Sequence, residues 1–185
     1  MAEYQPKDIN KCLVDNISIG CNNAGLDFPV DIIAAMDYAW IMAHKKELES
    51  IGKPVLTREW DILKPLDIDF IFLPNRVGVD YRLTGQMAIK AFSHVAKLRE
   101  KSLFILGIDH TNIHYDGTLA NITDIVDGDY AWMKCDNVIN LGKGSNITCW
   151  PKVMGLPCGD GISKEDIPSI LDSIRINAED IFWGK

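Results

Sequence analysis

Apolar residues recur along this chain in short blocks that alternate between two periods. Cys12 to Ile19 reads as a first strand, although Asp15 and Asn16 interrupt its apolar run. Gly20-Cys-Asn-Asn-Ala-Gly25 follows as a turn-rich loop. After Pro29, residues Ile33, Met36, Trp40, Ala43 and Leu48 fall near the 3.6-residue period of a helix, with Gly52 as its stop. Pro54-Val-Leu56 and Asp69-Phe-Ile-Phe-Leu73 predict a second and third strand. A helix is predicted over 81–100, with Leu83, Met87, Phe92, Val95 and Leu98 on its apolar face. Leu103 to Ile108 predicts a buried fourth strand, and Val138-Ile139 and Val153-Met154 two more short ones. Ser163-Lys-Glu-Asp166 has the form of a capping box, with Asp in place of the usual Glu, opening a last helix to about Ile176. Ile181-Phe182-Trp183 closes the chain, expected to fold back onto the domain.

This alternation of strand and helix predicts an α/β fold: a three-layer, Rossmann-like, mostly parallel sheet with helices on both faces. The 185 residues suit a single domain over 1–185, or one half of a two-domain enzyme. The formal net charge of -7 removes any global attraction to nucleic acid or an anionic membrane. Five cysteines, an odd number without Cys-x-x-Cys spacing, do not form a secreted disulfide framework. There is no N-terminal apolar signal core and no run of about 18 apolar residues. These features lead to the expectation of a cytoplasmic protein with reduced thiols and no membrane association.

In open α/β sheets, ligands gather beyond the carboxyl ends of the strands. The candidate chemistry lies in the segments that follow them. The first strand leads to Asn22 and Asn23, the third to Asn75, Arg76 and Asp80, and the fourth to Asp109 and His110. Amides, a guanidinium, carboxylates and an imidazole on one rim suit a hydroxyl-rich or phosphorylated ligand. Each also has a plain alternative, since Asn, Asp and Gly terminate strands and cap turns without any ligand. Asp109, delivered by the most apolar strand, is the strongest catalytic candidate. His110, His114, Asp109 and Asp116 offer a metal-binding alternative, although the intervening Thr-Asn-Ile does not favour the helix that would align both imidazoles. His44 and His94 fall on predicted helices and read as structural.

Two phosphate motifs are not met. In Gly142-Lys143-Gly144-Ser145 the lysine precedes Gly144 and the upstream glycine of a P-loop is missing, which disfavours a nucleotide triphosphatase; Gly20-Cys-Asn-Asn-Ala-Gly25 is not Gly-x-Gly-x-x-Gly, so a dinucleotide-binding Rossmann site is not expected. Cys21 has no activating base beside it in sequence, so an inert buried thiol is expected.

The order of elements resembles the acceptor half of the GT-B glycosyltransferases, in particular the bacteriophage DNA beta-glucosyltransferase family. The matching text is Asp69-Phe-Ile-Phe-Leu-Pro-Asn75, Gly78, the helix from Tyr81, and Leu103-Phe-Ile-Leu-Gly-Ile-Asp109. The Asn22-Asn23 loop resembles the opening turn, Asp31 lies near a second acidic position, and Asn137-Val-Ile-Asn-Leu-Gly142 resembles a later strand and glycine loop. The resemblance implies sugar transfer from a nucleotide-sugar to a hydroxyl acceptor, including modified DNA. Asp109 would be the general base, assisted by His110. Asn22, Asn23, Asp31, Asn75, Arg76 and Asp80 would hold ligand, and no cofactor or metal is implied. A second domain or partner chain would supply the donor half. The alternatives that stay open are a non-catalytic module for a nucleotide-like ligand and a metal-dependent hydrolase.

Overall fold

The computed structural model describes residues 6–73, 84–106, 137–140, 153–157 and 162–183. The elements are α1 (Pro6–Val14), β1 (Asn16–Cys21), α2 (Asn23–Asp27), β2 (Ile32–Ala34), α3 (Tyr38–Ala43), α4 (Lys45–Ile51), β3 (Val55–Arg58), β4 (Phe70–Leu73), α5 (Thr84–Leu98), β5 (Leu103–Leu106), β6 (Val138–Asn140), β7 (Val153–Pro157), α6 (Ile167–Ile176) and α7 (Ala178–Trp183). They form one seven-stranded sheet in the order β4-β3-β2-β1-β7-β5-β6. Strands β1 to β4 run parallel, and β5 pairs parallel with β6. Only β7 runs against its neighbours, wedged between β1 and β5. The sheet is therefore mostly parallel, and the chain has a Rossmann-like α/β fold.

Side-chain alternation along the strands builds two cores. Ile17, Ile19 and Cys21 of β1, with Ile32 and Ala34 of β2, face α5, α6 and α7, where Phe92, Val95, Ile170 and Ile174 are fully buried. Ile33 and Val55 face the other way, onto Leu13 of α1, Ala24 of α2, Ile41 of α3 and Leu48 of α4. Helices thus cover both faces, which is the predicted three-layer arrangement. Ile181 packs against the first core, so the tail folds back at that residue as expected.

The strands predicted at 54–56, 69–73, 103–108, 138–139 and 153–154 are present within the described residues, as is the helix over 81–100 from Thr84 onward. Leu98, assigned to that helix's apolar face, is instead 58% exposed. Ser163 and Asp166 form the capping box, and α6 begins with Pro168 in its first turn. Gly52 ends α4 in the left-handed conformation at φ 64°.

Two expectations are corrected. Cys12 and Leu13 belong to the end of α1, and the first strand starts at Asn16. Asn16 Nδ2 donates to Cys12 O at 2.6 Å, tying the strand's first residue back onto the helix. The long helix expected after Pro29 is a strand and two short helices. Ile32–Ala34 completes the sheet between β1 and β3, and Asp37 then starts α3 by accepting from Ala39 N at 2.9 Å.

A polar edge at the carboxyl ends of β1, β2 and β3

The strands that run parallel leave one edge of the sheet carrying the carboxyl ends of β1 to β6. At the end of β1 the chain turns sharply. Asn22 sits at φ 51°, ψ -127°, a region that L-residues other than glycine rarely occupy. Its N–H continues the ladder by donating to Ala34 O at 2.9 Å, and its carbonyl accepts from Gly25 N at 2.8 Å. The turn is tight because Gly20 and Gly25 lie back to back. A Cβ on Gly20 would meet Gly25 Cα at 2.7 Å, and one on Gly25 would meet Ile33 Cγ2 at 2.7 Å.

Thr84, the first residue of α5, joins this turn to the end of β2. Its hydroxyl accepts from Met36 N at 3.2 Å and donates over a long 3.4 Å to Asn22 Oδ1. Asn23 is engaged from the other side, where Trp40 Nε1 donates to its Oδ1 at 2.6 Å. Trp40 in turn packs on His44, ring centroids 4.6 Å apart, and His44 Nδ1 lies 2.7 Å from Glu47 Oε2. Asn23, His44, Lys46, Glu47 and Asp27 line an open cleft of about 530 Å³ between α2 and α4.

The end of β3 has a different character. Arg58 lays its guanidinium over the Trp60 ring, 4.2 Å from the centroid, and Tyr38 tilts against Trp60 at 6.0 Å. Thr57 Oγ1, Arg58 Nε and Trp60 Nε1 are all buried and have no hydrogen-bond partner among the described residues. Glu59 does not answer them, because it pairs with Lys64 at 2.9 Å.

Asp31 lies away from this edge. It precedes β2, opposite Ser18 in the middle of β1, on the amino side of the strand. Its Oδ2 accepts from Ser18 N and Ser18 Oγ at 2.8 and 2.9 Å, and its Oδ1 accepts from Lys164 Nζ at 3.0 Å. These bonds use the carboxylate to join β1, β2 and the 164–166 turn.

Of the residues singled out from sequence, Asn22 and Asn23 stand together at the carboxyl edge and Asp31 stands apart from them. Asp109, His110, Asn75, Arg76 and Asp80 lie outside the described residues, as do His114 and Asp116. Among the described residues no group of three or more His, Cys, Asp or Glu is placed to hold a metal. Cys21 is buried in the first core, and no described helix is long and apolar enough to cross a membrane. His94 keeps its Nε2 buried with no hydrogen-bond partner among the described residues.

Sequence reasoning missed Thr57, Arg58 and Trp60, and it undervalued the β1–α2 turn. A signal for the turn was there. Gly20-x-Asn22-x-x-Gly25 has the spacing of the dinucleotide fingerprint, with asparagine, the residue after glycine most tolerant of positive φ, in the middle place. Arg58 and Trp60 carried no motif, and only the geometry brings them together.

Compared with protein-family models, with curated proteins and with solved structures, the chain matches none.

Proposed function

We propose that this chain binds a nucleotide or nucleotide-like ligand across the carboxyl ends of β1 and β2. The observation that carries this reading is the turn at Gly20-x-Asn22-x-x-Gly25. In Rossmann-like sheets this spacing serves close packing of strand and helix and close approach of the backbone to a phosphate. Here the two outer glycines are in contact and Asn22 holds the positive φ of the middle position. A strained residue is retained where the surroundings over-determine it, and such positions cluster at ligand sites.

Calorimetric titration with a panel of nucleotides and nucleotide-sugars tests the reading. Saturable binding that weakens in Asn22→Ala, with folding intact, supports it. No binding by any member of the panel sinks it.

A second reading is favoured by one observation. β1 and β5 both run antiparallel to β7 between them and so point the same way, which puts Leu106 on the same edge, three residues before Asp109 in sequence. In this reading the ligand is a nucleotide-sugar and the chain is a glycosyltransferase or its acceptor-binding half, with a partner domain for the donor. Asp109 removes the proton of an acceptor hydroxyl as the oxygen attacks the anomeric carbon, the nucleotide leaves, and the configuration inverts. His110 hydrogen-bonds the base or the substrate. Nucleotide release with hydroxymethylated DNA as acceptor is the assay. Asp109→Asn should lower turnover about 10²–10⁴-fold with binding retained; unchanged turnover would remove Asp109 as the base.

A further inference from the structure

We propose that Arg58, whose guanidinium lies over the Trp60 ring, is an oxyanion-binding residue at the carboxyl end of β3, and that its ligand is a phosphoryl group. The argument starts from what is unsatisfied there. Buried N–H and O–H groups almost always find partners, and an orphan costs about 1–3 kcal/mol. Three of them lie within four residues of chain at this strand end: Thr57 Oγ1, Arg58 Nε and Trp60 Nε1. Thr57 is fully buried.

Arg58 also keeps its charge available: it makes no ion pair among the described residues. The neighbouring carboxylate, Glu59, is turned to Lys64 instead. The cation–π contact with the Trp60 ring, 4.2 Å from guanidinium carbon to centroid, restricts the rotamers of Arg58. A fixed, unpaired guanidinium is preorganised for a bidentate oxyanion, which a flexible ammonium is not.

Position supplies the ligand class. Parallel strands lie about 4.8 Å apart, so the end of β3 is roughly 10 Å from the end of β1, with β2 between them. A ligand seated at the Asn22 turn therefore reaches Arg58 with a phosphoryl group. The identity of the larger ligand rests on the nucleotide reading above; the phosphoryl contact does not.

The test is titration with inorganic pyrophosphate, followed by the ¹H–¹⁵N signals of the arginine Nε–H and tryptophan indole groups. Wild type is compared with Arg58→Lys and Arg58→Met. We expect the Arg58 and Trp60 signals to move together in a saturable way. Affinity should fall about tenfold in Arg58→Lys, the equivalent of one charge-assisted hydrogen bond, and further in Arg58→Met. The melting temperature of Arg58→Met should stay the same or rise, because an unpaired buried donor has been removed. No binding in wild type, or equal affinity in the folded variants, overturns the proposal. So does a marked loss of stability in both variants, which would make Arg58 structural. A nucleotide bound equally well with and without Arg58 would overturn this contact and leave the nucleotide reading standing. Arg58-dependent pyrophosphate binding without nucleotide binding would do the reverse.

Discussion

Ser18, Asp31 and Lys164 on the amino side of the sheet satisfy one another: both oxygens of the carboxylate are used, one by Ser18 of β1 and the other by a distant lysine. Thr57, Arg58 and Trp60 at the carboxyl edge leave three buried polar atoms without partners among the described residues, and Asn22 holds a backbone conformation that suits glycine. The two groups are built on opposite ends of the same parallel strands, β1 to β3. The difference is one of purpose. A network that is fully satisfied adds stability and specifies one arrangement. A set of donors left open is a cost in the free protein, and it is the arrangement expected where a ligand completes the bonding.

Removing a polar side-chain group should therefore act in opposite directions at Asp31 and at Thr57. The largest effect belongs to Asp31→Ala, which strands Ser18 N and Ser18 Oγ and leaves Lys164 Nζ with Leu13 O alone. Leaving the two buried Ser18 donors unpaired costs about 2–3 kcal/mol, a fall of roughly 4–12 °C in melting temperature for a domain of this size. A loss below about 1 kcal/mol would mean that water replaces these bonds and that the amino edge is not a network.

Next comes Gly25→Ala, which forces a methyl group to within 2.7 Å of Ile33 Cγ2. Overpacking of this kind costs about 1–3 kcal/mol. Chemical denaturation would check it, and a neutral result would show that α2 moves away from β1 without penalty.

Thr57→Val sharpens the contrast. It replaces a buried hydroxyl without a partner by a methyl of similar shape, so stability should rise by about 1 kcal/mol, or roughly 2–4 °C. A loss of that size would mean that the hydroxyl is bonded in solution.

The smallest effect is electrostatic. Burial pushes the Lys53 pKa below its ordinary 10.5; nearby Asp31 works against this and Lys164 adds to it. The unfolded chain therefore holds the proton more tightly than the folded one. The unfavourable contribution is fully present below the lowered pKa and fades as pH rises toward 10.5, so stability from this group increases with pH in that alkaline window. Lys53→Met should flatten that part of the stability–pH profile. An unchanged slope would show that Lys53 is solvated like any surface lysine.

Most of the sheet was legible in the sequence wherever a strand's apolar run was bounded by turn residues, as at Leu103 and at Phe70. β2 was not, because its three residues are buried on both faces and have no period of their own. Ile33 then falls into helical phase with Met36 and Trp40, so the strand reads as the start of the following helix. The start of β1 was misplaced for a related reason: Leu13, buried on the inner face of α1, is separated from Ile17 of β1 by a short gap whose only polar residues are Asp15 and Asn16, so helix end and strand read as one element. The antiparallel insertion of β7 between β1 and β5 could not be read, since pairing partners leave no local trace. At the candidate site, Asn22 was legible as a turn residue. The open donors at Arg58 and Trp60 were not, because their significance is the absence of an acceptor, which only the packed structure reveals.

The central claim is that the carboxyl edge is open to a ligand and the amino edge is closed. The most direct test is one ¹H–¹⁵N NMR titration with a nucleoside diphosphate, following both edges at once. The account predicts saturable shifts at the Asn22 amide, the Arg58 Nε–H and the Trp60 indole, with the Ser18 and Asp31 amides unmoved. Shifts confined to Ser18 and Asp31, or none at either edge up to millimolar ligand, would contradict it.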